Sequence, residues 1–152
     1  LELSQQDTLV LLVNERYKLP ENLYIDQDVF RLSSSNMIAP SIKIYSTDDT
    51  IPTLRVQFYT QEEKPVYDNM DFNWDYKNDT LRFDNYIKIA RQWRAQRVTL
   101  SLYLPENKKV LLPPQTSQYL RNLRDFDWKV RSKLNKDQIL LIMRDGKLQP
   151  LM

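Results

Sequence analysis

The residues best suited to chemistry in this 152-residue chain are its carboxylates, because it contains no histidine and no cysteine. Without imidazole the commonest general base near neutral pH is missing. Without thiolate there is no sulfur nucleophile, no disulfide and no cysteine-ligated zinc. The strongest metal-like spacing is Asp71-x-Asn73-x-Asp75, whose alternate oxygens open as a calcium loop does. The glycine of such a loop would fall on Tyr76 and its final bidentate acid on Arg82, so the spacing reads instead as the polar face of a strand. The acid pairs Asp26/Asp28 and Asp48/Asp49 would suit glycoside hydrolysis only if folding set two carboxyls about 5–9.5 Å apart in a cleft. Both pairs lie in polar or turn-like segments, where solvated charge is the ordinary outcome. Gly146 is the only glycine, which removes Gly-rich phosphate loops. These residue types predict a protein that is not an enzyme and takes no cofactor and no metal.

Binding chemistry is what remains. The chain has nine Tyr, five Phe and three Trp. Trp74, Trp93 and Trp128 are expected as core anchors, since a buried indole contributes several kcal/mol, about 3–5 when truncated. Tyr45, Tyr59 and Tyr103 instead fall on the outward phase of alternating runs, and exposed together they would form a binding surface. The run Arg91-Gln92-Trp93-Arg94-Ala95-Gln96-Arg97 sets arginines around one indole. It reads first as a cation–π lock of a loop against the next strand and second as a small cationic recognition patch. The candidate partner-binding residues are therefore Tyr45, Tyr59, Tyr103, Arg91, Arg94 and Arg97. Lys and Arg total 22 against 20 acidic residues, and they are scattered, which argues against nucleic acid as the ligand.

The elements that must position these residues have period 2, as half-buried strands require. In Val98–Leu104 the residues Val98, Leu100, Leu102 and Leu104 face inward and Thr99, Ser101 and Tyr103 outward, with Pro105 ending the run. Leu54, Val56 and Phe58 alternate with Arg55, Gln57 and Tyr59, and Phe72, Trp74 and Tyr76 alternate with Asn73 and Asp75. Shorter strands are predicted at 9–13, 23–25, 29–32, 42–45, 81–83, 110–112, 126–130 and 139–143. Asp and Asn take the place of glycine in the turns at Thr47-Asp48-Asp49, Asn78-Asp79, Glu106-Asn107 and Asn135-Lys136-Asp137, Asn78-Asp79 being the clearest hairpin tip. One short helix is predicted over Gln115–Arg124 behind Thr116 and Ser117, and Asn85–Ala95 reads as a structured loop. The chain is thus predicted to be a single all-β domain, residues 1–152, with at most one short helix. Alternation alone does not separate a β-solenoid from an antiparallel β-sandwich.

No run approaches the roughly 18 apolar residues that cross a bilayer, and Leu1-Glu2-Leu3-Ser4 is no signal peptide. With no initiator Met, the chain reads as a fragment whose membrane or targeting segment would lie upstream.

The order "DTLVLLVNERYK", "SIKIYSTDDTIPTLRVQFYTQ", "DFNWDYKNDTLRFDNYI" and "WRAQRVTLSLYLPENKKVLLPP" resembles the C-terminal region of PspC-domain proteins from Bacteroidetes, from about Asp7 to the end. Its most specific element is Trp93-Arg94-Ala95-Gln96-Arg97-Val98 running into Leu100–Pro105. The pattern is also similar to the adhesin-type, or head GIN, domains of envelope proteins. One departure is Asn107, where such domains often carry Gly after the Pro-Glu pair. The resemblance implies a β-solenoid-like stack and a periplasmic place outside the inner membrane, anchored by an upstream segment beyond this chain. It implies no catalytic residues. A protein or envelope component is the partner it implies, with sensing of envelope stress as the role. The rival expectations are a carbohydrate-binding or glycoside-hydrolysing domain, which needs a groove with facing carboxylates or coplanar aromatics, and a purely structural spacer.

Overall fold

The computed structural model describes residues 1–3, 8–14, 37–59, 70–89, 97–122, 126, 130–131 and 136–151, whose strands pair into three sheets. Three consecutive strands form its middle: β7 (Thr80–Asp84), β8 (Ile87–Ile89) and β9 (Arg97–Leu104). Each lies in a different sheet. β1 (Leu9–Asn14) and β6 (Trp74–Lys77) flank β7; β2 (Met37–Ile38) and β5 (Met70–Asp71) flank β8; β3 (Ser41–Ser46) and β4 (Thr53–Tyr59) flank β9. Beyond β1 the first sheet continues through β10 (Lys109–Leu112), β11 (Ile139–Arg144) and β12 (Lys147–Pro150).

The alternating residues explain where the core sits. Val98, Leu100, Leu102 and Leu104 of β9 are buried, as are Leu81 and Phe83 of β7, Leu9 and Leu11 of β1, and Ile42 and Ile44 of β3, all in one apolar cluster. Burying each such side chain contributes about 1.5–3 kcal/mol. A slip of one residue in any of these strands would turn its apolar set to solvent, so the register is strongly specified.

The all-β expectation holds among the described residues. The solenoid picture fits the pairing less well than the antiparallel alternative. Of nine ladders, three are parallel (β1 with β10, β1 with β7, β3 with β9) and six antiparallel. A coil-on-coil stack would need parallel neighbours throughout. Here the chain reverses between β3 and β4, so β4, β5 and β6 run antiparallel beside β9, β8 and β7. Alternation is the same in either direction, which is why the sequence leaves the choice open.

Left-handed backbone appears where turns demand it. Asn78 (φ 53°) and Asp79 (φ 57°) form the predicted two-residue tip between β6 and β7, and Asn107 (φ 72°) takes the turn after β9. Asp145 (φ 54°) and Gly146 (φ 77°) make a second tip between β11 and β12, which the sequence reading did not anticipate. The predicted helix shrinks to one turn, α1 (Pro114–Ser117), with Pro at the start. Thr116 and Ser117 lie inside that turn instead of capping it, and the buried Thr116 hydroxyl donates to the Leu11 carbonyl at 2.7 Å. The predicted strand at 126–130 is reduced to a bridge between Phe126 and Leu148, while Val130 is helical; apolar residues four apart suit a helix as well as a strand. Asn85–Ala95, read as a loop, contains β8, and the runs 23–25 and 29–32 lie outside the described residues. No helix among the described residues is long and apolar enough to cross a membrane.

Candidate binding face

The sheet β3–β9–β4 brings the predicted tyrosines together on its solvent side. Its ladders set Tyr45, Tyr103 and Thr53 in one row across the strands, and Lys43, Ser101 and Arg55 in the next row that faces the same way. Ser41, Thr99 and Gln57 form a further row, and Arg97 stands opposite Tyr59 at the far end. On the inward phase of the same three strands Ile42, Ile44, Leu54, Val98, Leu100, Leu102 and Leu104 are buried in the core, which gives the face rigid backing, while Phe58 and Ser46 at the strand ends are exposed.

Two aromatic contacts order this surface. The Tyr45 and Tyr103 rings stack with centroids 5.3 Å apart and planes inclined by 23°. The register of the β3–β9 ladder sets these two rings side by side, which favours an offset stack worth about 0.5–1.5 kcal/mol. The Arg97 guanidinium carbon lies 4.4 Å from the Tyr59 ring centroid, a cation–π contact within the usual reach. Tyr59 is exposed, and Tyr45 and Tyr103 are half-buried. Ser101 is buried although it faces outward, because the longer Lys43 and Arg55 stand on either side of it.

Of the predicted site residues, Tyr45, Tyr59, Tyr103 and Arg97 therefore share one face. Arg91 and Arg94 lie outside the described residues, as do Trp93 and Trp128. Arg97 makes a cation–π contact with Tyr59 on the neighbouring strand, while the lock expected around Trp93 lies outside the described residues. The residues missed at the sequence level are Lys43, Arg55 and Ser101. Their phase was visible, being two positions from Tyr45, four from Tyr59 and two from Tyr103 respectively. Which strands would be neighbours was not.

At the end of the face nearest Tyr45 and Tyr103, the loops after β3 and β9 enclose an open cleft of about 500 Å³ lined by Asp48, Asp49, Glu106 and Lys108 among others. One of its acids, and the backbone of another, have local work. Glu106 Oε1 accepts the Asp145 backbone N–H at 3.1 Å, and the Asp49 N–H donates to the Thr47 hydroxyl at 3.2 Å. Asp48, Asp49 and Glu106 are all exposed, as solvated turn residues are. Asp26 and Asp28 lie outside the described residues.

The calcium-like spacing is spread over two strands. Asp71 ends β5, the Asn73 N–H donates to Asp84 Oδ2 at 2.8 Å, and Asp75 stands opposite Arg82. Among the described residues no three carboxylates draw together as a metal site would require. Trp74 is half-buried against the core, in keeping with an anchor.

Residues 25–150 match a family model described as the ToastRack found in some PspC, a C-terminal region of those proteins. No curated protein and no solved structure matches the chain.

Proposed function

Since the chain belongs to the toast-rack family found in some PspC proteins, we propose that it is the extracytoplasmic binding module of a PspC-type protein and works by recognition, not catalysis. The observation that carries this reading is the solvent face of β3–β9–β4, where Tyr45 stacks on Tyr103 and Arg97 covers Tyr59 above a largely apolar, core-facing underside. Tyr and Arg on rigid backing are the residue types that dominate protein interfaces, because they offer large contact area with few torsions to freeze. Among the described residues the candidate carboxylates Asp48, Asp49 and Glu106 are exposed loop residues, and the chain has no imidazole or thiol to activate a nucleophile. On this reading the partner is a protein or another envelope component, met on the outer side of the inner membrane, with the anchor in another part of the protein. A Bacteroidetes envelope setting and a likeness to adhesin-type domains belong to the same proposal.

The test is site-specific photo-crosslinking in cells producing the whole protein. A crosslinker at Thr99 or Gln57, on the face, is expected to trap a discrete partner that one at Lys147, on β12, does not. Tyr45→Ala with Tyr103→Ala should abolish that adduct while the protein remains folded. Equal adducts from both positions, or an adduct indifferent to the tyrosines, would reject this face.

A further inference from the structure

We infer that the row Lys43–Ser101–Arg55 is an anion-binding site that seats the carboxylates of an acidic polypeptide partner. The inference rests on the reading of this face as the binding surface and adds the chemistry of what it takes. The two cations stand one strand to either side of Ser101, so their Cα atoms are about 10 Å apart, a gap that their long side chains span from both directions. Arg97 adds a third cation four positions along β9 from Ser101, about 13 Å away. Among the described residues none of Lys43, Arg55 and Arg97 makes an ion pair, although all could reach neighbours if carboxylates stood beside them. Among the described residues the one carboxylate in register with the face is Glu2, at its rim, bridged through its backbone to Thr53 on the outer side of β4. On a chain with nearly equal numbers of acids and bases, such a segregated face is, among the described residues, a positive field.

Apart from Glu2, a described group of acidic residues lies past the Tyr45/Tyr103 end of the face, in the cleft loops at Asp48, Asp49 and Glu106. The surface is therefore polarised along β9, basic towards Arg97 and acidic past Tyr103. That polarity gives a partner an orientation as well as an affinity. Arg binds carboxylate through a planar fork, and the phenols on the same face supply neutral donors.

A polypeptide fits better than a lipid surface. Electrostatic attachment to anionic membranes draws on clusters of about 4–8 basic residues, usually with an apolar wedge. Here the row carries two cations, flanked by tyrosines and hydroxyls, and the aliphatic side chains of the three strands point into the core.

The experiment titrates the isotope-labelled protein with an eight-residue alternating Glu/Thr peptide, its Gln/Thr counterpart, and vesicles of phosphatidylethanolamine and phosphatidylglycerol, following backbone amide shifts. The Glu/Thr peptide is expected to shift amides of β3, β9 and β4, with affinity falling about tenfold or more in high salt and in Lys43→Gln/Arg55→Gln. The amide spectrum of that double variant away from the face, and its thermal midpoint, should match the parent. Equal response to the Gln/Thr peptide, no shifts in these three strands, or tighter binding to the vesicles would each overturn the assignment. The salt series on the unsubstituted protein keeps the test decisive even if the double variant misfolds. Should cross-linking in cells depend on Tyr45 and Tyr103 while the acidic peptide fails to bind, the charge assignment falls and the binding face stands.

Discussion

The side-chain amide of Asn122 closes on both backbone groups of Ile44, accepting its N–H at 3.0 Å and donating to its carbonyl at 2.5 Å. It completes a row of bonds that seals the free edge of β3. The Ile42 N–H donates to the Tyr119 carbonyl at 2.8 Å, and the Arg121 N–H to the Ile42 carbonyl at 2.9 Å. An amide is the side chain that best imitates a strand, since it carries one donor group and one acceptor. Sealed edges do not recruit stray strands.

Asn122→Ala should therefore destabilise the protein by about 1–3 kcal/mol through the unpaired Ile44 groups. Hydrogen exchange at the Ile44 amide should accelerate more than at Ile42, whose backbone partners remain. Asn122→Asp keeps an acceptor for the Ile44 N–H and loses the donor, so it should fall between the two. An Ile44 amide that exchanges no faster in the alanine variant would show that the edge is held by other contacts.

Asp84 ties the corner where the chain leaves β7. Its buried carboxylate accepts the Asn73 N–H at 2.8 Å, and its own N–H donates to the Asn73 carbonyl at 3.0 Å. Asn14 Nδ2 approaches Oδ1 at 3.5 Å, at the limit of a bond. Removing the carboxylate strands the Asn73 N–H, so Asp84→Ala is expected to cost about 1–3 kcal/mol in urea unfolding. Asp84→Asn retains one acceptor oxygen and should cost less. A neutral alanine variant would mean that water replaces the acid freely.

Gly146 separates a backbone effect from a packing effect. Its φ is 77°, and a Cβ built there would meet only the Ser46 hydroxyl, at an ordinary 3.8 Å. Gly146→Ala should lose about 1–2 kcal/mol, the penalty of a left-handed residue with a Cβ. Ser46→Ala in the same background should recover none of it. Recovery would place the fault in crowding.

Much of this was legible from the residues. Val98, Leu100, Leu102 and Leu104 declared the buried side of β9 and so put Tyr103 outside, and Asn78-Asp79 declared its hairpin. Pairing was not legible, because Leu11 meets Leu81 and Ile42 meets Leu100 across long stretches of chain that carry no register signal of their own. For that reason the joint face of Lys43, Ser101 and Arg55 emerged only with the sheet. The Asp145-Gly146 tip went unread because Lys147-Leu148-Gln149-Pro150 alternates too briefly, and ends in a Pro, to announce β12. The helical reading of 115–124 overreached because Tyr119 and Leu120 are buried by bridging to the edge of β3, which needs no helix.

The first residues of the chain form a third kind of edge seal, this time on β4. The Leu3 N–H donates to the Pro52 carbonyl and the Leu54 N–H to the Leu1 carbonyl, both at 2.8 Å, so Leu1–Leu3 lies antiparallel along Pro52–Leu54. Leu3 is buried in the core, whereas Leu1 and Glu2 are exposed. The anchor is thus one side chain, with the backbone bonds as its consequence. Leu3→Ala should destabilise by about 2–5 kcal/mol, the range for a buried leucine. Glu2→Ala should be within about 0.5 kcal/mol of neutral, as exposed substitutions usually are. The Leu54 amide reports directly, since freeing the segment removes its acceptor: its exchange should rise in Leu3→Ala and stay unchanged in Glu2→Ala. Equal protection in both variants would show that the backbone pairing holds the segment without its leucine.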